Sequence, residues 1–274
     1  MKIPSNARCL VTGAGSGFGR AISLALAKRG GRVLVTDVDL ASAEETARMV
    51  AGLGGAAVAL ALDVRKSDEV KAAVDRALAD WGGLDVLVNN AGVAVAGAVG
   101  DVPLEDWQFA VEINLLGVIY GCHFGVPAMK RGGGGFILNV ASAAGIVSAP
   151  TMAPYNVTKA GVIALSETLY TEVAGAGIAV SALCPTFFRT NIHRSQRSTE
   201  ALRGRSLKLV TEAKWSADAV AEVALKGLEN GDLYILPQTD AKLAWRAKRA
   251  LGQGFFALVA RGAKRVLRDE GGAK

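Results

Sequence analysis

Cys9-Leu10-Val11-Thr12-Gly13-Ala14-Gly15-Ser16-Gly17-Phe18-Gly19 is the stretch that decides the fold. A short apolar run hands over through glycines to a helical pattern at 17 to 29, which reads as strand, tight turn, helix. Gly13, Gly17 and Gly19 let the backbone turn sharply and leave the amides at the helix N-terminus open to a pyrophosphate, whose charge the partial positive end of the helix favours. Such a run is weak evidence alone, because a tight turn needs glycine on steric grounds. No Gly-Lys-Ser or Gly-Lys-Thr follows it, which excludes a P-loop.

Outward from this turn, apolar runs alternate with longer amphipathic stretches. The patterns predict strands near 8 to 12, 32 to 37, 56 to 62, 84 to 88, 135 to 141, 178 to 184 and 232 to 236. Helices are predicted near 17 to 29, 41 to 53, 67 to 80, 104 to 130, 153 to 174 and 216 to 229. Val33-Leu34-Val35 and Val86-Leu87-Val88 are continuously apolar, as strands covered on both faces are. The expected architecture is α/β: a doubly wound (Rossmann), seven-stranded parallel sheet with helices on both faces. No internal repeat or linker divides the chain, so residues 1–240 are expected to form one domain, with 241–274 as a basic extension.

Asp37, at the end of the second strand, stands where an acid accepting from adenosine ribose hydroxyls is expected. Alone it would read as a strand-end acid or a helix cap; the upstream glycines turn it into part of a nucleotide site. Its carboxylate can bond a free 2′-hydroxyl but repels a 2′-phosphate, and neither Ser16 nor Val38 offers a compensating cation. NAD is therefore favoured over NADP.

A chain of 274 residues that is 51% hydrophobic can bury a large core. Cys9, Cys122 and Cys184 are scattered in apolar runs without metal or disulfide spacing, which points to a reducing compartment and a cytoplasmic location. His123 and His193 are too far apart in sequence to suggest a metal pair, and Cys184 has no histidine placed to activate it. The N-terminus turns into glycines too soon for a signal sequence, and no apolar stretch looks long and uninterrupted enough to span a bilayer. The net charge of +6 is uneven: residues 241–274 hold nine Lys or Arg against two acids, a net of +7, and residues 1–240 carry −1.

Tyr155 and Lys159 stand one helical turn apart, after Ser142 at the end of the strand Phe136-Ile137-Leu138-Asn139-Val140. A free tyrosine ionises near pH 10, so a useful base at neutrality needs that lowered by about three units, or about 4 kcal/mol. An ammonium about 4 Å away at an effective dielectric near 20 supplies on the order of 4 kcal/mol. Lys159 is expected to lower the phenol's pKa and to reach ribose hydroxyls, and Ser142 to orient a substrate oxygen at the C-terminal rim of the sheet. Separately, Tyr155 reads as an interface aromatic and Lys159 as a solvated charge; only their register with Ser142 and Asn114 favours chemistry.

From residue 7 to about 237 the chain resembles the single-domain short-chain dehydrogenase/reductases. The resemblance rests on Thr12-Gly13-(x3)-Gly17-x-Gly19, Asp63-Val64, Asn89-Asn90-Ala91-Gly92, Asn114, Ser142, Tyr155-(x3)-Lys159 and Pro185 through Thr190, in that order. It implies a catalytic tetrad of Asn114, Ser142, Tyr155 and Lys159, with Tyr155 as the acid or base and Asn114 holding a kinked helix and a water that links Lys159 to solvent. It implies cofactor contacts at Gly13, Ser16, Gly17, Phe18, Gly19, Asp37, Asp63, Val64, Asn90, Tyr155, Lys159, Pro185 and Thr190. Within that set Asp63 would meet the adenine amino group, Val64 the adenine face and Thr190 the nicotinamide carboxamide. Thr186 departs from the pattern, where glycine usually follows the proline, so the β-branched residue is expected to narrow the pocket and change substrate shape.

The implied activity is hydride transfer between NAD and a hydrophobic secondary alcohol or ketone, with an NADPH-dependent ketone or 3-oxoacyl reductase as the rival and a non-catalytic, membrane-associated dinucleotide-binding protein as the alternative of another class. Phe187, Phe188 and Ile192, with Ala144, Ile146, Val147 and Met152, are expected to line the substrate pocket. Arg189, His193, Arg194 and Arg197 stand in the same 187–211 segment, the place of the family's mobile substrate loop, and would either meet an anionic substrate group or face solvent. In the extension, Leu251, Phe255, Leu258, Val259 and Val266 fall on one side of a helical wheel, away from Arg246, Arg249, Arg261, Lys264 and Arg268, with Gly252 and Gly254 weakening the middle. That face either packs on the body or a sister subunit, or lies on anionic lipid. A homodimer or homotetramer is expected, and no nucleic-acid partner.

Overall fold

The computed structural model describes residues 1–271, with the side chains of Arg194 and of residues 263–271 outside the description. Seven parallel strands form one sheet in the order β3-β2-β1-β4-β5-β6-β7. They are β1 (Arg8–Thr12), β2 (Arg32–Asp37), β3 (Ala56–Ala61), β4 (Val86–Asn89), β5 (Gly135–Val140), β6 (Ile178–Leu183) and β7 (Tyr234–Ile235). The doubly wound architecture expected from the alternating patterns is the one observed.

Alternate residues of a strand point to opposite faces, and here both faces are apolar. Leu10, Leu34, Leu87 and Ile137 enter one hydrophobic cluster. Cys9, Val11, Val33, Val35, Val86 and Val88 enter another across the sheet. The first face is covered by α3 (Ser67–Trp81), the helical stretch from residue 104 to 131 and α7 (Ala153–Glu172). The second is covered by α1 (Gly17–Lys28) and α9 (Ala217–Asn230), with α2 (Leu40–Gly52) against β2 and β3.

The predicted helix near 104 to 130 is three segments: α4 (Leu104–Val111), a π turn over Glu112–Leu116 and α5 (Gly117–Arg131). Together they are long and apolar enough to cross a membrane, contrary to the expectation that no stretch is. Val118, Cys122 and Met129 of α5 lie in the core, however, and α5 packs on α3, which makes this a helix of the globular body. The 187–211 segment also has more regular structure than a loop, with a 3₁₀ turn at Ile192–Ser195 and α8 over Glu200–Thr211. The extension is not one helix: Gly252, at φ 51°, breaks it into α10 (Thr239–Leu251) and α11 (Gln253–Gly271). Val266, Lys264 and Arg268 of the helical-wheel expectation lie outside the described side chains.

Candidate active site

Strand register carries the predicted site residues to one rim. Thr12 pairs with Thr36, Val11 with Val88, Asn89 with Asn139 and Val140 with Leu183. The residues just past these positions, among them Gly13, Asp37, Asn90, Ser142 and Pro185, therefore leave the sheet at its C-terminal edge. The strand order reverses between β1 and β4, the place where such sheets bind ligands.

At that switch point the two strand ends are cross-linked. Thr12 Oγ1 accepts from the backbone N–H groups of Asn90 (3.0 Å) and Ala91 (3.1 Å). Asn90 Nδ2 donates to the carbonyls of Thr12 (2.8 Å) and Gly13 (2.9 Å). The helix lies so close to the turn that a β-carbon on Gly19 would sit 2.1 Å from the Gly13 carbonyl oxygen. Ser16 precedes α1 without a side-chain cap, so the first-turn N–H groups are not taken up by it. Phe18 is buried, stacking edge-on with Phe188 at 6.2 Å between centroids. Thr190 Oγ1 lies 2.7 Å from where a β-carbon on Gly17 would be, which brings the end of the Pro185–Thr190 segment against the glycine turn.

Asp37 is held by two backbone donors, the N–H of Gly15 to Oδ2 (2.9 Å) and that of Asp39 to Oδ1 (3.1 Å). Arg20, which reaches the same turn, is engaged: its Nη2 donates to the Gly15 carbonyl and to Glu45 Oε2 (2.6 Å), and its Nε to Thr46 (3.0 Å). Asp63 chelates Arg65, which lowers its pKa, and Val64 is buried against Gly117. This rim fits a dinucleotide: a narrow glycine cradle, helix amides without a side-chain cap, and an acid anchored by two backbone N–H groups.

Asn114, Ser142, Tyr155 and Lys159 come together below that rim. Asn114 is fully buried in the π turn; its Oδ1 accepts from Val93 N (2.8 Å), and its Nδ2 donates to Val93 O (2.9 Å) and Thr158 Oγ1 (3.2 Å). Thr158 in turn donates to the Tyr155 carbonyl (3.0 Å), so the π turn is tied to the first turn of α7. Thr158 was not among the expected residues; its signal is a β-branched hydroxyl between Tyr155 and Lys159 in a helix whose packed face it shares. Pro154 sits in the first turn of α7, where a missing N–H costs nothing.

Lys159 is buried, 3% exposed, with Nζ donating to the Val140 carbonyl (2.7 Å) and lying 5.7 Å from the centre of the Tyr155 ring. Burial lowers its pKa to about 8. The Tyr155 phenol is pushed up by burial, with a hydrogen bond to Ser142 pulling weakly the other way. This corrects the electrostatic expectation: the ammonium is turned to a carbonyl, and desolvation outweighs what lowers the phenol. Cys184, buried close to Lys159, is pushed up to about 12 and is no nucleophile.

The substrate-side expectations change more. Phe188 turns to Phe18 and the core instead of a pocket, and Ile146 is buried in the core cluster. Phe187 is exposed, while Ala144, Val147, Met152 and Ile192 are half-buried around Ser142 and the 3₁₀ turn. Arg197 is claimed by Asp106 (2.8 Å) and stacks on Phe109 at 3.7 Å, so it meets neither solvent alone nor a free anion site. Arg194 lies outside the described side chains. Thr186 does not simply narrow the pocket. Its hydroxyl donates to Asp240 Oδ1 (3.1 Å) and its N–H to Gln238 Oε1 (3.1 Å), both at the start of α10. Farther along, Lys248 Nζ donates to the Ile146 carbonyl (2.6 Å) in α6 (Ala144–Val147), which follows Ser142.

A doubly wound sheet with a glycine cradle at its switch point and a Ser, Tyr and Lys cluster on the same rim defines a Rossmann-type protein. The family model for short chain dehydrogenase matches residues 7–201, and the chain belongs to that family. Among its relatives, the probable oxidoreductase EphD of Mycobacterium tuberculosis is 34% identical over 229 residues, 80% of this chain; the chain spans 39% of that longer protein. Cyclohexanol dehydrogenase of an Acinetobacter species is 31% identical over 218 residues, covering 79% of this chain and 87% of the relative. A short chain dehydrogenase/reductase from Burkholderia phymatum, solved in complex with NAD, superposes with a TM-score of 0.87 at 28% identity, covering 92% of this chain and 95% of that one.

Proposed function

We propose that this chain is an NAD-dependent dehydrogenase acting on a hydrophobic secondary alcohol or the corresponding ketone, with Tyr155 as the group that moves the proton. The observation that carries the reading is the cluster of half-buried Ser142 and Tyr155 with buried Lys159 on the same rim as the glycine cradle. When bound, the nicotinamide cofactor supplies the hydride acceptor or donor. Gly13, Ser16, Gly17 and Gly19 would hold its pyrophosphate, Asp37 its adenosine ribose, Asp63 and Val64 its adenine, and Asn90, Pro185 and Thr190 the nicotinamide half.

Tyr155 keeps its proton at neutrality, which suits it to donate to a forming alkoxide in reduction. In oxidation the proton must first leave, and Lys159, about nine-tenths protonated at pH 7 with a pKa of about 8, supplies the neighbouring positive charge. Ser142 orients the reacting oxygen. Asn114, through Val93 and Thr158, fixes the height of α7 and so of both Tyr155 and Lys159.

Preference for NAD is supported by Asp37 and by the engagement of Arg20 with Glu45 and the Gly15 carbonyl in place of a 2′-phosphate. An apolar alcohol is supported by the capture of Arg197 and by similarity to a cyclohexanol dehydrogenase. The three free, buried thiols suit a reducing, cytoplasmic setting. A panel of secondary alcohols and ketones followed at the NADH absorbance band tests the activity. Tyr155→Phe is expected to lower turnover by roughly 10² to 10⁴ while NADH still quenches or shifts protein fluorescence; unaltered turnover refutes the role. Tighter binding of NADPH than NADH in the same titration would overturn the cofactor choice in favour of the NADPH reductase.

A further inference from the structure

We propose that α10 and α11 form a docking surface for an anionic lipid bilayer. Ala241, on the inner side of α10, is 1% exposed, and Lys248 reaches inward to the Ile146 carbonyl. Lys242, Arg246 and Arg249 recur three to four residues apart and are exposed, Arg249 lying over the rings of Trp245 (4.2 Å) and Tyr234 (5.8 Å), and none forms an ion pair with a described residue. Lys226 of α9 stands beside Lys242 and Arg246 around a cleft of about 430 Å³ with Trp245.

Apolar side chains stand open on the same two helices. Leu243 is 61% exposed, Leu251 49%, Phe256 42% and Leu258 55%, whereas Phe255 is tucked in at 8%. A helix that buries one part of its apolar surface and leaves another bare beside cations matches an interface whose near layer is anionic and whose next layer is hydrocarbon. Nucleic acid offers the charge but no apolar phase. A second copy of this chain brings the same +7 segment, so a symmetric pairing over it sets like charges together. The surface is independent of the hydride-transfer reading.

The test is co-sedimentation of the full chain with vesicles of phosphatidylglycerol and phosphatidylcholine, against phosphatidylcholine alone. The chain is expected to pellet with the anionic vesicles, to be released as salt is raised, and to pellet far less with the neutral ones. A cation near an anionic membrane strengthens binding about fivefold, so Lys242→Gln, Arg246→Gln and Arg249→Gln combined should weaken it on the order of 100-fold. Leu243→Ser with Leu258→Ser should weaken it as well, with NADH binding and melting temperature showing that both variants are folded. No pelleting with anionic vesicles at low salt overturns the proposal. So does equal pelleting by the triple variant, or a dimer that the leucine changes dissolve without any vesicle binding by the parent.

Discussion

Replacing Lys159 with methionine should change stability in a way that depends on pH, because the structure keeps an ammonium where it is expensive. Burial lowers the lysine from its ordinary 10.5 to about 8. A drop of about 2.5 units corresponds to about 3 kcal/mol by which folding disfavours the charged form. The sign follows from the direction: between about pH 8 and 10.5 the unfolded chain still holds a proton that the folded chain has released, so this group makes stability rise with pH in that window. Below about pH 8 the full penalty is present. Methionine has nearly the same volume and no proton, so the penalty disappears, and so does the donor to the Val140 carbonyl, whose loss costs about 1–3 kcal/mol at every pH. At pH 7 the variant should be as stable as the parent or slightly more so, and by pH 10 clearly less stable. The gap between them should move by about 3 kcal/mol, or roughly 6–12 °C in melting temperature for a chain of this size. Urea unfolding of both proteins at the two pH values reads the difference, in which all other titrating groups cancel. A gap that is flat with pH would show that Lys159 is not a buried ammonium, and the proton chemistry assigned to its neighbourhood would go with it.

Two further substitutions probe the cofactor rim. Asp37→Ser removes the charge that Gly15 and Asp39 hold in place, and should raise NADPH affinity and lower NADH affinity by about tenfold each, at about 1.4 kcal/mol per decade; an unmoved ratio in fluorescence titration contradicts the ribose assignment. Gly19→Ala places a carbon 2.1 Å from the Gly13 carbonyl oxygen, so α1 must move off the turn. NADH affinity should fall by at least about 100-fold at a cost of several kcal/mol of stability, whereas Gly204→Ala, with nothing within 4 Å, leaves binding as it was.

The sheet was readable because its information is local. Val33-Leu34-Val35 and Val86-Leu87-Val88 announce strands covered on both faces; the first has the predicted bounds, and the second differs by two residues at its start and one at its end. The π turn was not readable, since Ile113-Asn114-Leu115 continues a helical pattern. Its extra residue answers to Asn114 pairing with both backbone groups of Val93, a contact twenty-one residues away in sequence. Helix α8 escaped because only Leu202 and Val210 are buried in it, too little periodicity to register. The i to i+4 spacing put Tyr155 and Lys159 on one face, as read, but spacing does not say which acceptor a long side chain selects, and the Val140 carbonyl competes successfully for the ammonium. In the same way nothing in Phe188 or Arg197 foretold that the core and Asp106 would take them from the pocket.

The start of α10 grips Thr186, in the segment past β6, and its far end grips Ile146, in the segment past β5 that carries Ser142, two walls of the C-terminal rim. The two walls are thus strapped to a single rod that contributes nothing to the glycine cradle. Both walls share that anchor, so the shape of the substrate opening should answer to residues about a hundred positions away from the serine that would receive the alcohol. An engineer who wants a wider opening has a handle in Gln238, Asp240 and Lys248 that leaves the proton-handling side chains untouched, and one who trims the chain behind Pro237 in search of a smaller enzyme will have loosened the opening as well.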